Sequence, residues 1–115
     1  MPTLFEQIIA REIPADIVHE DDLCIAFNDI SPKAPVHILI VPKKLIPRVG
    51  ESGGDDEHIL GHLLLTSKKI AEDLGFVSAD KGYRLVINHG SDAGESVPHL
   101  HVHLLAGRKM TWPPG

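Results

Sequence analysis

The first apolar positions, Leu4, Phe5, Ile8 and Ile9, fall at helical spacing behind Thr3, and Glu6 completes a capping-box signature with Thr3. This predicts a short helix that ends before Pro14. From Ile17 to Phe27 apolar and polar residues alternate around Glu20-Asp21-Asp22, the pattern of two strands joined by a tight acidic turn. Asn28 to Pro32 breaks that pattern as a loop. Val36 to Val41 is a β-branched run bounded by Pro35 and Pro42, with His37 its one polar member, and predicts a largely buried strand. Prolines, glycines and basic residues mark Pro42 to Gly54 as a loop, after which Asp55-Asp56-Glu57 supplies an N-cap and a negative first turn. The next helix carries Leu60, Leu63, Leu64, Ile70, Ala71 and Leu74 on one side and stops at Gly75. Tyr83 to Asn88 and Pro98 to Leu105 read as two closing strands, separated by the turn-rich loop His89 to Ser96. This order of elements suggests an α+β domain, an antiparallel sheet with helices on one face. There is no internal repeat and no low-complexity tract.

Composition narrows the function classes. A chain of 115 residues makes one domain, of a size that buries roughly two-thirds of the surface its unfolded form exposes. Only 4% of it is aromatic against 43% hydrophobic, so Ile, Leu, Val and Ala must build the core. The net charge of −5 argues against a nucleic-acid partner, which needs clustered Lys and Arg. A small anion held by backbone N–H groups and neutral imidazoles stays open. Cys24 is the single cysteine, which excludes an intramolecular disulfide and, with it, zinc sites built on cysteine. Within Leu23-Cys24-Ile25-Ala26-Phe27 it reads as a small buried hydrophobe on a strand. No basic segment followed by an apolar one opens the chain, and no stretch nears the roughly 18 apolar residues of a membrane span, so a cytoplasmic protein with no membrane partner is expected.

The candidate chemistry lies in Pro98 to Leu105. Side chains alternate along a strand, so His99, His101 and His103 share one face, roughly 7 Å apart, while Leu100, Val102 and Leu104 face the core. Three imidazoles in a row cannot all be protonated without mutual repulsion, so some are pushed toward the neutral, nucleophilic form. Alternating histidines can also converge on zinc, for which imidazole is a common ligand. The preceding Gly94-Glu95-Ser96 tilts the balance toward phosphate, because glycine lets backbone N–H groups approach an oxyanion and serine adds a hydroxyl donor.

His99-Leu100-His101-Val102-His103-Leu104-Leu105 resembles the His-φ-His-φ-His-φ-φ signature (φ apolar) of the histidine-triad (HIT) superfamily. The likeness runs along nearly the whole chain, through Ile13-Pro14-Ala15, Ala26 to Pro35, His37, Val41 to Lys44, Asn88, Gly90-Ser91-Asp92, Gly94-Glu95-Ser96 and the tail Trp112-Pro113-Pro114-Gly115. The tail and the Phe27 to Pro35 loop are similar to the Hint branch, the purine nucleoside phosphoramidases. The resemblance implies a single HIT domain over 1–115: a five-stranded antiparallel sheet with two helices packed on it. It also implies a sheet extended across a homodimer and a tail, 106–115, docked near the active site.

By the same resemblance His101 attacks the α-phosphorus of a nucleoside phosphoramidate and is transiently nucleotidylated, and water then releases the nucleoside monophosphate. The backbone carbonyl of His99 orients His101. His103 contacts the phosphate and helps protonate the leaving amine. Ser96, with the backbone of Gly94 and Glu95, binds the phosphate, Asn88 positions that cluster, and His37 supports the set with His99. Asp29 accepts both ribose hydroxyls, while Phe5, Ile8, Ile13, Phe27, Ile30 and Leu39 line the base slot and Val102 borders the nucleotide. A purine nucleotide is the expected partner, with no metal and no cofactor. Two departures bear on selectivity: Asn28 stands where some relatives have histidine, and Pro98 where others have an aromatic residue. Dinucleoside polyphosphate hydrolysis and a nucleotide- or zinc-binding regulatory module are the alternatives.

His58 and His62 have the spacing of a helical metal pair but lack the Glu of the metalloprotease motif, and read as surface residues. His19 and His89 match no motif and carry no assigned role. Pro42-Lys43-Lys44 reads as a solvated basic loop.

Overall fold

A computed structural model describes residues 2–115. Helix α1 (Leu4–Ile9) opens with the capping box: Glu6 N–H donates to Thr3 Oγ1 at 3.1 Å and Thr3 N–H to Glu6 Oε1 at 2.9 Å. Strands β1 (Ile17–Glu20), β2 (Cys24–Asn28) and β3 (Val36–Pro42) follow, then the long helix α2 (Glu57–Asp73), β4 (Arg84–Val86) and β5 (Val102–Ala106). The sheet runs β1-β2-β3-β5-β4, antiparallel throughout. Inserting β5 beside β3 sets Leu39 opposite His103, which brings the histidine of β3 next to those around β5.

Alternation divides the apolar residues between two faces. Cys24, Ala26, Ile38, Ile40, Val102 and Leu104 pack under α2 with Leu63, Ile70 and Ala71. Ile25, Phe27, Leu39 and Val41 point the other way and receive Phe5 and Ile8 from α1. The helices therefore lie on opposite faces, not on one as the element order suggests. The inner strands carry apolar residues on both sides, and α1 buries the part of the second face that α2 leaves bare.

Three further expectations are corrected. Leu64 and Leu74 do not face the sheet; Leu63, Thr66, Ser67, Ile70 and Ala71 do, and these mostly small residues let α2 lie close on the strands. The Asp56 carboxylate does not cap α2. It accepts from Gly53 N–H at 2.9 Å and pairs with Lys44, closing the short turn before the helix. The closing strands are shorter than the apolar runs: the β3–β5 ladder stops at the Ile40–Val102 pair, and Leu100 N–H donates instead to Ile46 carbonyl at 2.7 Å. Pro42, two residues beyond Ile40, has no N–H with which to continue a ladder.

The tail touches its own chain through Arg108, whose Nε donates to Lys33 carbonyl at 3.0 Å, and through Thr111 carbonyl, which accepts from Arg84 at 3.0 Å, while Trp112 is 82% exposed. Among the described residues no helix is long and apolar enough to cross a membrane.

Candidate active site

The triad histidines share a side of the sheet yet sit in three different settings. His99 is fully buried and spends both ring nitrogens: Nε2 donates to Pro42 carbonyl at 2.8 Å, so Nδ1 is the acceptor for Thr3 Oγ1–H at 3.2 Å. His101 Nδ1 lies 2.7 Å from His99 carbonyl. A carbonyl only accepts, so the proton sits on Nδ1 and the lone pair on Nε2. The edge of Phe5 packs against the His101 ring, centroid to centroid 4.9 Å and nearly perpendicular at 84°, which fixes its plane.

A second chain of bonds sets the tautomer of His103. Lys33 N–H donates to His37 Nδ1 at 3.0 Å, which leaves the His37 proton on Nε2. That nitrogen is 2.9 Å from His103 Nδ1 and 3.5 Å from Asp29 Oδ2. His103 therefore accepts at Nδ1 and carries its proton on Nε2. Within the triad only Nε2 of His101, a lone pair, and Nε2 of His103, a donor, have no partner among the described residues. Three imidazoles so committed do not converge on one zinc ion. Asp29, His37 and His103 also stand close enough to hold a cation.

Burial, together with the nearness of His101 and His37, pushes His103 down to about 4 against the opposing pull of Asp29. Burial also lowers His37, with Asp29 opposing, and lowers His99 although its bond to Pro42 works the other way. A histidine whose folded pKa lies below its unfolded value of 6.5 leaves the unfolded chain binding more protons in between, so stability falls as pH drops through that interval. We expect urea midpoints to fall between pH 6.5 and about 4.5 in the native protein, and less in His103→Gln. Glu95, held below 4.5 by Gly90 N–H and Arg48, adds its own loss only below that range.

Beside the histidines a pocket of about 220 Å³ opens. Phe5, Ile8, Ile13, Phe27 and Leu39 form its apolar walls, and Asp29, Ile30 and Ser96 its rim, with Ile30 98% exposed. Ala15 and Val97 line it too, and no periodic signal marked them. Asp29 serves two ends: Oδ1 accepts from Ser31 N–H at 2.8 Å, an ordinary turn bond, and Oδ2 faces His37. Asn28 turns to Asp16, its Nδ2 donating at 2.7 Å. A larger open groove of about 650 Å³ lies at the other end of β5, against Phe76, Lys81 and Arg108. No histidine, cysteine, serine or threonine lines it.

The Gly94 to Ser96 loop departs from expectation. Gly94, at φ +81 in the left-handed region, donates its N–H to Ser91 carbonyl at 3.0 Å, and Glu95 donates to Gly90 carbonyl at 3.1 Å. Those two amides are spent on the turn, which leaves Ser96 to face a ligand. The Glu95 carboxylate is spent as well, on Gly90 N–H at 3.0 Å and Arg48 at 2.9 Å. Arg48 thus belongs to the site as a brace, which the sequence did not signal. Val102 is fully buried under α2, so its side chain is closed to any ligand on the histidine face. Asn88 is half-buried beyond the end of β4 and outside the pocket lining. Thr3 is the other unforeseen member, bonding at once to Glu6 N–H and to His99. Thr3→Val should lower stability by about 1–2 kcal/mol by denaturant titration, and should also lower kcat by loosening His99.

The sequence profile of the HIT domain matches residues 10–110. The chain belongs to the HIT family. It is 54% identical over 113 residues to an uncharacterized HIT-like protein of Synechocystis, covering 98% of this chain and 96% of that one. A HIT-like protein of Synechococcus elongatus is 56% identical over the same length and coverage. Among solved structures, a HIT family hydrolase from Legionella pneumophila superposes with a TM-score of 0.94 at 48% identity, over 99% of this chain and 100% of that one. A histidine triad nucleotide-binding protein from Candida albicans superposes with a TM-score of 0.82 at 30% identity, over 97% and 83%. The five-stranded sheet with two helices is the HIT fold, and the chain is a HIT-family hydrolase.

Proposed function

We propose that this HIT hydrolase belongs to the Hint branch and cleaves the P–N bond of purine nucleoside 5′-phosphoramidates and related adenylates, releasing the nucleoside monophosphate. The observation that carries the reading is the proton order on the histidines: a lone pair on His101 Nε2 beside a donor on His103 Nε2. The base enters the Phe5–Phe27–Leu39 pocket, Asp29 takes the ribose, and Ser96 holds the phosphate. The nucleotide-binding relative from Candida albicans supports a nucleotide as the ligand.

The substrate's phosphate anion offsets the burial and the imidazole repulsion that keep His103 neutral, so the complex takes up one proton there, and His37 Nε2–H turns to Asp29. His101 Nε2 forms a bond to phosphorus as the P–N bond breaks, and the amine leaves with the proton from His103. The positive charge left on His101 is stabilised through Nδ1–H by His99 carbonyl. Water then attacks phosphorus, His103 takes its proton, and His101 departs with its lone pair restored. No step calls on a metal or cofactor.

We further propose a homodimer joined through β4, with the cytoplasm as its compartment. β4 is paired on one side only, by β5, and the neighbouring Trp112 is exposed, as a segment meant for a second chain would be. The purified protein should turn over adenosine phosphoramidate at least about a hundredfold faster, in kcat/KM, than diadenosine polyphosphate, a difference of about 2.7 kcal/mol. The reverse preference would assign the polyphosphate as substrate.

A further inference from the structure

Away from the histidine face, four metal-ligating side chains from β1, its turn into β2, β2 and α2 meet. Asp21 Oδ2 lies 2.8 Å from His19 Nε2 and 2.8 Å from His62 Nε2, and Cys24 Sγ is 3.6 Å from the same oxygen. The ligating atoms of His19, Asp21 and Cys24 all lie within 4.8 Å of one another. Strand alternation does not foretell this. Ile17 pairs with Phe27 on the α1 face, but the register slips by one before His19, which pairs with Ala26 on the α2 face. The bulge at Val18 thus turns His19 onto the side occupied by Cys24 and His62.

We propose that His19, Asp21, Cys24 and His62 form a site for a borderline-soft divalent cation of the zinc class, one that braces the β1–β2 turn against α2. Imidazole, carboxylate and thiolate are the ligands such an ion takes, whereas magnesium and calcium take oxygen. In a tetrahedron of zinc bond lengths the ligands of such a set stand roughly 3.3–3.6 Å apart; His19, Asp21 and Cys24 supply three corners, and His62, which reaches Asp21 Oδ2 from α2 at 2.8 Å, closes on them as the fourth. Asp21 Oδ1 is held by Leu23 and Cys24 N–H at 2.8 and 2.9 Å, which orients Oδ2 toward the cluster. Glu20 and Asp22 flank Asp21, and Lys43, the nearby cation, is paired with Glu20 at 2.9 Å. Burial raises the Cys24 thiol to about 11, so binding releases its proton to solvent.

The test is titration of the metal-free protein with cobalt(II) and zinc(II), alongside His19→Gln, His62→Gln, Cys24→Ser and the double variant His37→Gln/His103→Gln. The expected result is one cobalt per chain, with a thiolate-to-cobalt charge-transfer band that zinc displaces. Binding should weaken at least about tenfold in His19→Gln and in His62→Gln, and the band should vanish in Cys24→Ser and persist in the double variant. Zinc should raise the melting temperature without changing the hydrolysis rate. His19 and His62 are half-exposed, so their variants keep the test decisive if Cys24→Ser folds poorly. No metal uptake, no thiolate band, or uptake that survives the first two variants and is lost in the double variant would each overturn the site.

Discussion

Replacing His101 with alanine or asparagine will lower turnover of an adenosine phosphoramidate by at least about 10⁴-fold while leaving nucleotide affinity within a few-fold. The asymmetry follows from where this side chain acts. In the proposed mechanism its free atom, Nε2, forms a bond that exists only during reaction, whereas ground-state binding is assigned to the Phe5–Phe27–Leu39 pocket, Asp29 and Ser96. The ring is held before substrate arrives, by the 2.7 Å bond to His99 carbonyl and the Phe5 edge, so little ordering remains to be done at the moment of attack. Calorimetry with nucleoside monophosphate, beside steady-state rates, checks both halves. Equal losses of binding and turnover would make His101 a binding residue.

His103→Gln should cost about 10²–10⁴-fold in kcat with a basic alkylamine as leaving group, and far less with a leaving group stable as an anion, such as a nitrophenolate. An amine departs only as it gains a proton, and His103 Nε2 is the donor left without a partner by the Lys33–His37–His103 relay. Glutamine keeps a hydrogen-bond donor but cannot deliver a proton. A loss that is the same for both leaving groups would reduce His103 to a positioning residue. Measuring kcat across a series of leaving-group pKa values separates the two.

Strand alternation alone made the histidine face legible, and the apolar pattern foretold the helices and the first three strands, whereas the pocket walls came from the resemblance to the HIT family. It could not show that His99 differs in kind from His101. That difference comes from Thr3 and Pro42, 96 and 57 residues away in the chain, and local periodicity carries no information on such contacts. Nor could it show that the glycine loop consumes its own amides, or that Glu95 answers to Arg48. His19 shows the limit most clearly, because one extra residue in β1 reverses its face and no residue in Ile17-Val18-His19-Glu20 announces the slip. The helix faces were misassigned for a related reason: β2 and β3 are apolar on both sides, so hydrophobicity could not say which side each helix takes.

The proposed reaction runs through two displacements at phosphorus, the first by His101 Nε2 and the second by water. Each in-line displacement inverts configuration. Hydrolysis of a substrate made chiral at phosphorus with sulfur and an oxygen isotope should therefore proceed with net retention, read by phosphorus NMR of the released nucleoside phosphorothioate. Net inversion would mean that water attacks directly, and would contradict a covalent role for His101.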